Sequence, residues 1–115
     1  MPSTTHEQLL EKIVPIEERY EEINDLMAQN DVATNPTRLQ ELAKEQAAIQ
    51  ELVAAYRQYR EVEKQFDEAK ALFEETTDDE MREMARDEVQ SLEAQLDDLG
   101  GRMTTLLLPT DPNDD

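Results

Sequence analysis

The residues of this chain that could do chemistry are few and scattered. His6 is the only histidine, and it lies near the N-terminus, away from any convergent partner. A general base or metal ligand needs a second and third group aimed at the same point, and a lone terminal imidazole has none. The serines are Ser3 and Ser91, neither within a pattern that supplies a base. There is no cysteine, which removes disulfides, thiolate metal sites and thiol nucleophiles together. Carboxylates are abundant, yet no D-x-[DN]-x-[DN]-G loop organises them into a calcium site. Asp111, Asn113, Asp114 and Asp115 form an acidic tail that would hold a divalent ion only without specificity. The expectation is a protein with no catalytic residues, no metal and no cofactor.

The charge is more informative. Lys and Arg number 11 against 29 Asp and Glu, a net of −18 on 115 residues. Such a surface repels phosphates, so direct nucleic-acid binding and docking on an anionic membrane are both disfavoured. Half of the excess lies between Glu74 and Asp98, where eleven acids face only Arg82 and Arg86, a net of −9. Like charges at helical spacing destabilise the helix that carries them. That stretch reads as a landing face for a basic protein, as a surface kept clear of RNA, or as a solvated helix face. No basic segment followed by an apolar run opens the chain, and no apolar stretch is long enough to span a bilayer, so a cytoplasmic location is expected.

The elements that would position these groups are helices. Gly is nearly absent, with 2 residues, and aromatics are 4%, which suits long helices rather than a sheet with regular turns. The first helix is predicted over roughly Glu7–Gln29, capped from Ser3-Thr4-Thr5. Its apolar seam runs Leu9, Ile13, Ile16, Tyr20, Ile23, Met27, with gaps of 4, 3, 4, 3 and 4. Pro15 falls inside this pattern, so a kink near Ile13-Val14 or a start at Pro15 is expected. Asn35-Pro36 opens the second helix, Asn as cap and Pro where its missing N–H is harmless. No breaker follows until Thr76-Thr77, which predicts Pro36–Glu75 as one helix about 60 Å long.

The seam of that helix slips. Leu39, Leu42, Gln46, Ile49, Val53, Tyr56 keep heptad spacing, and so do Tyr59, Val62, Phe66, Ala69, Phe73. Between Tyr56 and Tyr59 the step is 3 where 4 is due. The slip turns the apolar stripe around the helix, so each half is expected to serve a different neighbour. Tyr56 and Tyr59 are expected to reach solvent with their hydroxyls. The third helix is predicted over Asp78–Leu106, opened by a capping box at Thr77-Asp78-Asp79-Glu80. Its seam is Met81, Ala85, Val89, Leu92, Leu96, Leu99, Met103, Leu106, weakened near its end by Gly100-Gly101. Together these predict an all-α fold: an elongated, antiparallel three-helix coiled coil over residues 1–106. Residues 107–115, beginning in the run Leu106-Leu107-Leu108-Pro109, are expected to lead into a further domain.

Two stretches carry a resemblance. Glu80-Met81-Arg82-Glu83-Met84-Ala85-Arg86-Asp87-Glu88 and Leu106-Leu107-Leu108-Pro109-Thr110-Asp111-Pro112-Asn113-Asp114-Asp115 resemble the N-terminal domain of bacterial class-1 peptide chain release factors. The second stretch is more similar to the type that reads UAA and UAG. The layout agrees: helix, connection, long helix, capped acidic helix, leucine run. The family's later domains read the stop codon with a Pro-x-Thr tripeptide and insert a Gly-Gly-Gln loop that hydrolyses peptidyl-tRNA. Neither is carried here, since Gly100-Gly101-Arg102 lacks the glutamine and sits in a helical seam, and Pro2-Ser3-Thr4 lies at a free end.

The resemblance implies a ribosome-contacting domain of a translation termination factor, acting through domains beyond this sequence. It implies contact with the stalk-base protein of the large ribosomal subunit, near the GTPase that recycles release factors. The residues proposed for that contact are Asn30, Asp31, Asn35, Thr37 and Arg38, at the tip of a helical hairpin. A free-standing acidic coiled-coil adaptor or chaperone-like interaction protein is the rival reading.

Overall fold

The computed structural model describes the backbone of residues 2–108 and the side chains of residues 7–108. Among the described residues every element is a helix, so the chain is all-α. The helices are α1 (Pro2–Met27), α2 (Asn30–Ala33), α3 (Pro36–Glu75) and α4 (Asp79–Leu107). The three long helices match the predicted segments to within a few residues, and α2 is a single turn within the expected connection between the first two of them. The expected roles of the His6 side chain and of the tail from Pro109 lie outside the described residues.

α1 begins at Pro2, where the missing N–H is one of the donors a helix start leaves unbonded. Ser3-Thr4-Thr5 therefore lie within the helix and do not precede it. Pro15 also lies inside α1, so the expectation of a start there does not hold. The apolar seam on both sides of Pro15 is buried, Ile13 completely and Ile16 partly. Packing of such a seam outweighs one lost backbone bond.

The chain divides into two compact units, Met1–Ala54 together with the segment from Leu106, and Ala55–Thr105. The first unit has its core at Ile23, Val32 and Leu42, with Leu26, Met27 and Ile49 packed against it. Leu42, Leu52 and Val53 are the buried apolar residues of its part of α3. α1 and α3 are also cross-linked by polar groups. Arg19 donates from Nε to Glu45 Oε2 at 2.5 Å and from Nη2 to Glu45 Oε1 at 2.8 Å. Gln46 Nε2 donates to Asn24 Oδ1 at 2.5 Å.

The second unit pairs the rest of α3 with α4. Ala55, Tyr56, Tyr59, Val62 and Ala69 are buried on α3, and Ala85, Leu92, Leu96, Gly100 and Met103 on α4. Tyr56 and Tyr59 are only 7% and 3% exposed, which corrects the expectation that they reach out to solvent. Burial raises the Tyr59 phenol above its ordinary pKa, with smaller contributions from the charges of Glu63 and Asp97.

α4 starts differently from the predicted capping box. Asp78, and not Thr77, is the cap: its Oδ1 accepts from the Glu80 N–H at 3.0 Å, and its carbonyl accepts from the Arg82 N–H at 2.8 Å. With the cap at Asp78, position N3 is Met81, which has no side chain able to return the bond. Thr76 contributes from outside the helix, its Oγ1 accepting from the Asp78 N–H at 3.3 Å. A carboxylate at the positive end of the helix dipole serves better than a hydroxyl there. Met81 is a second correction, since it was read as a seam residue and is 45% exposed.

Candidate partner-contact site

The five residues singled out in sequence lie on the connection between α1 and α3 in the first unit. α1 ends at Met27, and the Ala28 and Gln29 amides close on Asp25 and Leu26 carbonyls at 3.2 and 3.1 Å. α2 follows at once. Its Val32 is buried against Ile23 and Leu42, so the connection is pinned to the core at its midpoint. Thr34 ends the turn by donating from Oγ1 to the Asn30 carbonyl at 2.8 Å. The Asn35 N–H closes on the Val32 carbonyl at 2.9 Å.

Asn35 then caps α3 as its type predicts. Its Oδ1 accepts from the Arg38 N–H at 3.2 Å, and its carbonyl accepts from the Leu39 N–H at 2.9 Å, with Pro36 between them as the first helical residue. One of the five candidates is thus engaged in holding the helix start. Asn30, Asp31, Thr37 and Arg38 are exposed at the same end. They present one acid, one base and two neutral polar groups around a turn whose backbone bonds are largely closed. Arg38 also contributes to lowering the Glu45 carboxylate, mainly set by the hydrogen bonds from Arg19. The turn is thus exposed, closed by its own hydrogen bonds and mixed in charge.

An open cleft of about 520 Å³ in the second unit is lined by Phe73, Asp79, Arg82, Glu83 and Arg86. Among the described residues no group of three or more His, Asp or Glu side chains could hold a metal ion. No helix of the described residues is long and apolar enough to cross a membrane.

Residues 16–115 match the PCRF domain family, and the chain belongs to it. Its relatives include Peptide chain release factor 1 of Bacillus subtilis (strain 168), 45% identical over 107 residues, or 93% of this chain and 30% of that protein. Peptide chain release factor 1 of Brevibacillus brevis is 46% identical over 104 residues, covering 90% of this chain and 29% of the relative. That of Listeria monocytogenes (EGD-e) is 44% identical over 107 residues, with shares of 93% and 30%. The chain therefore spans less than a third of the length of these relatives. No solved structure matches it.

Proposed function

We propose that this chain is the N-terminal helical part of a translation termination factor of the UAA- and UAG-reading type, positioning that factor on the ribosome. The match to the PCRF domain over residues 16–115 supports this most directly. The similarity to release factor 1 proteins supports it further. In this reading, stop-codon recognition and peptidyl-tRNA hydrolysis belong to segments that this sequence does not contain. Residues 107–115 lead toward them, and residues 1–106 form the positioning domain.

The partner is the protein of the large-subunit stalk base, with the release-factor-recycling GTPase nearby. The connecting turn is the contact: Asp31, Thr37 and Arg38 are exposed on it, and Asn30 and Asn35 shape its backbone. A net charge of −18 favours a basic protein over bare RNA as the surface met. The test is co-sedimentation of the 115-residue chain with purified large subunits, compared with the double charge reversal D31K/R38E. We expect saturable binding of the wild-type chain, weakened roughly tenfold by the double reversal, as for a change at the centre of a contact. Binding that is unchanged by the reversal would remove this turn from the interface.

A further inference from the structure

The second unit carries an apolar surface that the seam pattern does not account for. Leu72 is 42% exposed, Met81 45% and Met84 70%, and of the three only Met81 holds a seam position. The three residues share one flank of the α3–α4 pair. The Arg82 guanidinium stacks over the Phe73 ring, 4.6 Å from its centroid, and this fixes which residues of the two antiparallel helices stand level. At about 100° per residue, one step back from Phe73 carries Leu72 toward the flank opposite that stack. One step back from Arg82 carries Met81 to the same flank. Met84, three residues on from Met81, is its neighbour along the helix surface.

The rim of this patch is acidic. Glu80 and Glu88 stand four residues before and after Met84, and Glu68 and Glu75 stand four before and three after Leu72. All four are exposed. Arg82 and Arg86, the cations of this end of α4, line the cleft on the Phe73 side, away from the Leu72–Met81–Met84 flank.

We infer that the Leu72–Met81–Met84 face docks a basic amphipathic protein helix, apolar anchors seated on the methionines and lysines or arginines meeting the glutamate rim. The charge selects this occupant. A second copy of the chain would bring a second stretch of net −9 against the first, and RNA or an anionic membrane would be repelled in the same way. Methionine side chains are unbranched and polarisable, so they mould to an apolar anchor better than leucine or valine would. The face is in the second unit, apart from the α1–α3 turn assigned to the ribosomal contact, and it stands or falls independently of that assignment.

The experiment uses the 115-residue chain with ¹³C-labelled methionine methyls and a synthetic Leu/Lys amphipathic peptide of about 18 residues as probe. An isomeric Leu/Glu peptide and a single-stranded RNA oligonucleotide are the competitors. The Leu/Lys peptide should shift the Met81 and Met84 methyls and leave that of buried Met103 in place. M81S/M84S should weaken its binding roughly tenfold, while V14S, at another exposed apolar residue, should leave it unchanged. E80Q/E88Q should weaken it severalfold and flatten its dependence on salt, a readout that holds even if the methionine variant folds poorly.

Binding insensitive to both double variants would overturn the inference. So would equal affinity for the Leu/Glu peptide or the RNA, or a concentration-dependent dimer that M81S/M84S dissolves.

Discussion

Arg19 holds Glu45 through two of its nitrogens and also reaches Glu22, so one guanidinium serves two helices. Those bonds keep the Glu45 carboxylate below its ordinary range, and the Arg19 guanidinium is raised in turn. A carboxyl group with a depressed folded pKa stabilises the fold above its unfolded value and loses that contribution as pH falls through the folded one. The melting temperature of the wild-type chain should therefore exceed that of E45Q at neutral pH. The gap should close on acidification below about pH 4, where an unperturbed carboxylate protonates. A gap that persists unchanged at low pH would mean that the glutamine variant disturbs packing instead. Both partners keep a third or more of their side-chain surface exposed, so added salt should narrow the gap as well. Nothing in the sequence pointed to this pair. Arg19 and Glu45 are 26 positions apart on different helices, and charge pairing across helices depends on a register that periodicity leaves open.

The helices were far more legible. α3 runs from Pro36 to Glu75 as read from one cap and one gap in breakers, and nearly every seam position is buried or half-buried. What escaped was chemistry below the level of periodicity. Thr77 and Asp78 both suit a cap, and only the hydrogen bonds show which one serves. Met81 keeps heptad spacing but lies on the flank of α4 turned away from the Phe73–Arg82 stack, where it stays 45% exposed. Asn35 was legible as a cap, and N35A should cost about 1 kcal/mol in chemical denaturation, the usual loss at such a position. G101A should act in the opposite sense. Gly101 lies inside α4, and a Cβ there would meet nothing within 4 Å. Alanine should stabilise the chain by about 0.5–1 kcal/mol, since glycine in a helix interior is the poorer residue by that margin. The Thr105 hydroxyl, which donates to the Gly101 carbonyl at 3.1 Å, is undisturbed by the change. Destabilisation by G101A would show that the chain needs freedom at that point.

For the molecule as a whole, charge dominates. A net −18 on 115 residues opposes any compact state, because folding brings like charges closer than they stand in the unfolded chain. The ion pairs at Arg19 and Arg60 are surface pairs and cannot offset it. Raising monovalent salt from about 0.01 to 0.3 M shortens the screening length several-fold and should raise the melting temperature. A fall would mean that attractive pairs outweigh the global repulsion. This balance was readable from composition alone, whereas the placement of acids around an apolar patch required the level of Phe73 against Arg82.

The short step between Tyr56 and Tyr59 has an evolutionary side. One residue inserted there would suit the helix perfectly well by propensity, and it would bring the two seams of α3 into a single unbroken heptad register. The altered helix would be a zipper, offering one long apolar line to any similar helix, its own copies included. Substitutions along α3 can accumulate while its composition drifts, but insertions and deletions between those two tyrosines are visible to selection at once. In this family length at that step should be guarded more closely than the identity of the residues that fill it.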